Sequence, residues 1–407
     1  MSTSPSRLPI LSLLPVRDPT ERVVSYLVSV FPAKNEAGES DMEAVARGAL
    51  EASPALSRQV GLPVLVPITP ALLRDGSVTR FASVNATWIV PGESLADSAT
   101  LQAVERLRNI GIDVAFAGFP PSLEQIPGRA RTKTMIVLDA GQTPAQRLHQ
   151  QVCALMDGGF RILVRQVDDR ATRQRVIDSG PVYYAGRPLL RRVRPVDSAN
   201  LEQAALTALR VLATYADGRP PDSAFGDALV RDSALSAALM KAILTSIPRA
   251  PKTLPLSLQI LGRETVLGLL VPVTAQLLGE FAQDPEVAFA ALRCARTIDR
   301  LATALTEPMH PRMRVVAGLL AVAQSALGLP MDQLADALDL SRPLRDALGD
   351  RALPLGELLD LVDAFEYGWW DDLAARCEAL NITPQVVSGT WHFAWRAVKD
   401  ELKSITP

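Results

Sequence analysis

The adjacent acids Asp168 and Asp169 are the most site-like residues in the sequence. Asp139 ends the apolar run TMIVLDA. Asp168 and Asp169 follow the run RILVRQV, with Arg165 three residues before Asp168. Carboxylates at the C-terminal ends of parallel strands are where a barrel enzyme would hold a metal or activate water. The stretch GIDVAFAGFPPSLEQIPG (111–128) has the same form, an apolar strand breaking into a loop at Gly118 and Pro120–Pro121. Its last strand positions, however, are Ala117, Gly118 and Phe119, none of which can bind a metal or move a proton. The three histidines, His149, His310 and His392, are isolated and none is followed by Asp. A metal-dependent phosphohydrolase needs several His and Asp ligands around its ion. His310, before Pro311, reads as a capping or surface residue. Adjacent acids after a strand also suit a helix N-terminus, where the helix dipole favours negative charge, so Asp168–Asp169 has that plainer reading. No GxGxxG, GxxxxGK[ST] or GxSxG motif occurs. The expectation is no catalytic residue, no metal and no cofactor.

The elements that would position these residues fall into two halves. Up to about residue 195, β-type runs alternate with helical segments: PILSLL, VVSYLVSVF, PVLVPI, ATWIV, DVAFAGF, TMIVLDA, RILVRQV and PVYYAG. The amphipathic stretches LADSATLQAVERLRNIG and TPAQRLHQQVCALMDGG between the later runs each end in Gly, as helix C-termini prefer. Eight such strands predict a closed β/α barrel with short helices. The turn RDPTER between the first two is too short for a helical crossover, so that pair should be antiparallel. After residue 196 the strand signal disappears. Asp284-Pro285-Glu286, Ser341 and Thr383-Pro384 mark helix starts, which predicts an all-helical second domain. The expected division is 1–195 and 196–407, joined by GRPLLRRVRPVDSAN (186–200). That segment, with four arginines and two prolines, reads as a solvated hinge or, less simply, a phosphate-binding patch.

Composition limits the function classes. The 407 residues are 48% hydrophobic and 21% charged with a net charge of −2, which gives no sign of a nucleic-acid-binding chain. The run VLGLLVPV (266–273) is too short to span a bilayer by itself, so no membrane association is expected. The N-terminal LPILSLLPV meets charge at once and lacks a small-residue cleavage site, against secretion. Cys153, Cys294 and Cys377 are odd in number and widely spaced, which suggests buried thiols in a reducing compartment. The expected location is the cytoplasm.

With these residues in view, the first half resembles the EAL domain, the barrel that hydrolyses cyclic di-guanylate in bacterial signalling. The second half resembles the HDOD domain, a helical relative of the HD phosphohydrolases without their ligands. The whole is similar to degenerate EAL–HDOD signalling proteins over nearly its full length. RDSALSAALMKAIL (231–244) resembles that family's "DPaLs…LL" helix, LQILGRETV (258–266) its "LG" helix, and residues 314–370, ending in FEYGWW, its C-terminal pattern.

The resemblance implies a barrel mouth stripped of its chemistry. The signature Glu-Ala-Leu falls on Leu27, Val28 and Ser29, and the phosphate-binding Arg beyond it on Phe31. A metal-binding Asn becomes Pro67, and a further Glu falls at Val90. Ala117 and Gly118 stand where an Asp-Asp pair belongs. The general-base Lys becomes Val137, leaving Asp139, while Arg165 takes the place of a Glu and Asp168 that of a second acid. The Gln before the last strand becomes Pro181, and Arg187-Pro188 keeps the family ending.

The leading expectation is a non-enzymatic signalling protein that contacts partner proteins through its helical half, with the barrel as scaffold or sensor. A receptor that binds cyclic di-guanylate without cleaving it is the alternative. Phe31 and Pro181 argue against that ligand, while Arg187 and the arginines of 191–194 leave it open. An enzyme of unknown substrate comes third. In GWWDD (368–372) Trp370 is expected in the core, and Trp369 on the surface as a partner anchor. Arg165 is expected to point into the mouth and pair with Asp139 or Asp168.

Overall fold

The computed structural model describes residues 9–32, 41–120, 126, 131–186, 198–216, 218, 222–305, 310–351 and 353–405. The junction arginines Arg187, Arg191, Arg192 and Arg194 lie outside these residues, as does the expected boundary at 195/196. The chain forms two compact units. One comprises residues 1–187 together with 364–371, and the other residues 188–363 and 372–407.

In the first unit eight strands close a barrel in chain order: β1 (Leu11–Arg17), β2 (Val23–Val30), β3 (Val64–Pro67), β4 (Ala86–Pro91), β5 (Asp113–Ala117), β6 (Met135–Asp139), β7 (Arg161–Arg165) and β8 (Tyr183–Ala185). The barrel and the helical region after it match the fold class expected from the sequence. β1 runs antiparallel to β2 and also to β8, while the pairs from β2 to β8 are parallel. A single reversed strand therefore closes the ring, and its short link to β2 requires that reversal.

Caps fix the helices between strands. Asp41 accepts the Ala44 N–H to open α1 (Met42–Val60), and left-handed Gly61 ends it. Thr69 caps α2 (Pro70–Arg74) and Asp97 caps α3 (Ser98–Asn109). α4 (Ala145–Asp157) links β6 to β7, and α5 (Arg170–Asp178) links β7 to β8. Alternate strand residues point inward, as the pleat requires. The interior cluster is Leu14, Val16, Leu27, Leu65, Ile89, Ala115, Met135, Val137, Leu163 and Ala185. Outward-facing Trp88, Val90 and Phe116 are also fully buried. Each large side chain removed from water in this way contributes about 1.5–3 kcal/mol before conformational entropy is set against it.

The second unit is helical among its described residues: α6 (Ser198–Ala216), α7 (Asp222–Arg231), α8 (Ser233–Ser246), α9 (Leu254–Leu261), α10 (Arg263–Ala282), α11 (Pro285–Ala304), α12 (Pro311–Leu327), α13 (Met331–Leu338), α14 (Arg342–Gly349), α15 (Leu353–Tyr367), α16 (Trp370–Ala379) and α17 (Pro384–Ile405), the last residues of α15 and first of α16 belonging to the barrel unit. The expected starts appear: Asp284 accepts the Glu286 N–H, and His310 accepts the Arg312 N–H as a cap. The expected "LG" helix is instead a break, because Gly262 at φ 77° separates α9 from α10.

The run VLGLLVPV needs correction too. It lies inside the 20-residue α10, which is long and apolar enough to cross a membrane. That helix is 61% buried over its most apolar window, packed mainly on α11 and α6, as expected of a core helix. α11 and α12 approach closely at Gly318, where a Cβ would lie 2.4 Å from Ala295 Cα. Cys294 and Cys377 are buried, but Cys153 is only half-buried. Its Sγ lies 3.7 Å from His149 Nε2, on the outer helix α4.

Candidate functional site

The C-terminal ends of the parallel strands carry the candidate site. Ser29, Pro67, Pro91, Ala117, Asp139 and Arg165 follow the interior residues by two along their strands, so they form the next layer toward the mouth. Above the interior cluster lies a cavity of ≈ 570 Å³, lined among others by Leu27, Pro67, Val90, Ala117, Val137, Arg165 and Asp168. Pro67 and Pro91 sit at the last residues of β3 and β4, where the missing N–H costs little of the ladder. Gly118 turns the chain out of β5 at φ 84°, a conformation open to Gly at low cost, and its N–H donates to Val137 O at 2.8 Å.

Arg165 and Asp139 are register partners on β7 and β6. Arg165 Nε donates to Asp139 Oδ2 at 2.8 Å, and Nη2 is also 2.8 Å from that oxygen. The other oxygen, Oδ1, accepts the N–H groups of Gly141 and Gln142 at 2.9 and 3.1 Å. The carboxylate thus spends both oxygens on protein donors. Between the two acids anticipated for Arg165, the structure pairs it with Asp139. Asp168 lines the cavity, while Asp169 caps α5: its oxygens accept the Thr172 N–H and hydroxyl at 2.8 and 2.6 Å. The Thr172 hydroxyl, and then its N–H, hold the Asp169 carboxyl below its ordinary range.

Val90 lines the cavity although its side chain alternates along β4 with that of Ile89, which belongs to the interior cluster. One sequence assignment is displaced. Pro181 precedes β8, whose Tyr183 is level with Leu163, and so it lies toward the barrel's opposite end. Phe31, just beyond β2, meets the edge of Trp370 with ring centroids 5.7 Å apart.

The largest departure concerns residues 364–371, which belong to the barrel's unit. Tyr367 packs against the interior cluster, and Tyr367, Gly368 and Trp370 line the cavity. Trp370 is therefore half-buried rather than a core residue, its edge also toward Phe365 at 6.0 Å. Trp369 is half-buried as well, 5.4 Å from the Tyr367 ring. Sequence reading missed Tyr367 and Trp370 as mouth residues. The only local signal is the aromatic density of FEYGWW, which says nothing of a contact with strands more than 300 residues earlier.

The donor set does not fit the metal of an EAL-type hydrolase. Leu27, Pro67, Ala117 and Val137 offer no side-chain ligand, and Asp139 is engaged by Arg165. Among the described residues no group of three or more His, Cys, Asp or Glu could hold a metal ion.

No protein-family model matches the chain, and no curated protein matches it. Among solved structures it is similar to an EAL domain protein from Listeria monocytogenes, at 12% identity and TM-score 0.36, covering 44% of this chain and 86% of that one. It is similar also to the EAL domain of Mycobacterium smegmatis DcpA, at 15% identity and TM-score 0.36, covering 44% and 90%. A third is the FimX EAL domain from Pseudomonas aeruginosa bound to c-di-GMP, at 15% identity and TM-score 0.35, covering 45% and 89%.

Proposed function

We propose that this chain is a non-catalytic cytoplasmic signalling protein that acts through protein–protein contacts, its barrel a degenerate EAL-type scaffold or sensor and its helical unit an HDOD-like partner platform. The observation that carries the reading is the composition of the mouth. Two-metal phosphodiester hydrolysis needs several carboxylates converging on ions about 3.5–4 Å apart. Here Leu27, Pro67 and Ala117 line that space, and Asp139 is neutralised by Arg165. Half-buried Trp369 remains the proposed partner anchor.

The second reading is a receptor that binds cyclic di-guanylate without cleaving it. FimX is described with that ligand bound, so the expectation that dinucleotide binding is disfavoured, though open, finds no support there. Calorimetric titration with cyclic di-guanylate, with and without Mg²⁺ or Mn²⁺, separates the readings. A scaffold gives no binding heat under either condition, and a receptor gives a saturable heat with no linear product by chromatography. A linear product overturns both.

A further inference from the structure

We infer that the barrel mouth binds a small, uncharged, largely apolar molecule carrying a ring, an inference that rests on the reading of the barrel as a sensor. The cavity of ≈ 570 Å³ is of the size that small-molecule sites take, about 300–1,000 Å³. Its lining includes Leu14, Leu27, Ile89 and Val137, side chains of the barrel interior. One wall is aromatic and held in place: Trp370 stands edge-on to Phe31 at 5.7 Å and to Phe365 at 6.0 Å. A half-exposed tryptophan over an apolar floor leaves hydrophobic area in water that a ligand ring would cover.

Charge sets the ligand class. Among the described lining residues the charged side chains are Arg165 and Asp168, and Arg165 is already neutralised by Asp139. Among the described residues the mouth therefore has no surplus cation to offset the cost of stripping water from an anion, a cost that an uncharged molecule avoids. Orientation would come from the Ser29 hydroxyl, the Gln166 amide and the guanidinium N–H groups that Asp139 does not use.

Titration of the full chain with N-phenyl-1-naphthylamine, a neutral apolar fluorophore, tests this. The expected result is a saturable one-to-one rise in emission, with affinity at least about tenfold weaker in Ala117→Phe, a loss of about 1.4 kcal/mol, because the new ring fills the cavity. Tyr367→Ala removes part of a wall without adding bulk to a strand, so it keeps the test decisive should the first variant misfold. It too is expected to shift the affinity. Absence of saturable binding, or wild-type affinity in every folded variant, overturns the inference. Neither outcome touches the non-catalytic reading, which the dinucleotide titration decides separately.

Discussion

Arg165 and Asp139 face each other across the β6–β7 register, with the guanidinium Nε and Nη2 both 2.8 Å from one carboxylate oxygen. The arrangement places a positive group beside the acid that would otherwise be left facing the mouth. The side chains are 43% and 11% exposed, so solvent screens the cation more than the anion. Arg165→Ala is expected to cost about 1–2 kcal/mol, between the values for exposed and for fully buried pairs. Urea unfolding at pH 7 measures it, and an unchanged midpoint would show that the pair is not structural.

A second expectation concerns the aromatic wall. Phe31 and Trp370 are 339 positions apart in no functional motif, yet their rings meet edge to face at 5.7 Å. A double-mutant cycle with Phe31→Leu and Trp370→Leu should return a coupling of about 0.5–1.5 kcal/mol. Additive single effects would place the two rings apart in solution.

The helical unit gives a test of backbone approach. A methyl at Gly318 would sit 2.4 Å from Ala295 Cα and 2.6 Å from Ala295 N, so α11 and α12 would have to separate. Gly318→Ala should destabilise by about 1–3 kcal/mol, although alanine is the better helix former. A gain in thermal midpoint would contradict the close packing.

Burial pushes the Cys377 thiol up to about 11. The sign follows from linkage: the folded state keeps the proton where the unfolded chain has released it. This contribution is complete below pH 9, the ordinary value, and is lost as pH rises through 11. Cys377→Ala should therefore show a smaller loss of stability between pH 9 and 11 than the parent. Native Cys377 should also resist iodoacetamide at pH 8, while half-buried Cys153 reacts. Equal labelling of the two, read by peptide mass spectrometry, would refute this.

The fold was legible where chemistry is local. Short apolar strand runs, glycines after helices, and a turn too short for a crossover lead to the barrel and its reversed first strand. The return of β1 to β8 is not local and entered only through the expectation that eight strands close a barrel. Leu27, Pro67, Ala117, Val137 and Arg165 entered the sequence reading through the family resemblance, and all five line the cavity. Pro181 was misplaced because it lies before its strand rather than after it. The contribution of 364–371 could not be read at all. Nothing in FEYGWW distinguishes packing within its own helices from packing on a distant barrel, and that ambiguity also put Trp370 in the core.

The central proposal is that this mouth does not support two-metal phosphodiester hydrolysis. Incubating the purified full chain with cyclic di-guanylate and excess Mg²⁺ or Mn²⁺, and resolving nucleotides by chromatography, tests it most directly. The cyclic dinucleotide is expected to remain intact over many hours, with no difference between the parent and Asp139→Ala. Linear dinucleotide formed by the parent and abolished in Asp139→Ala would contradict it.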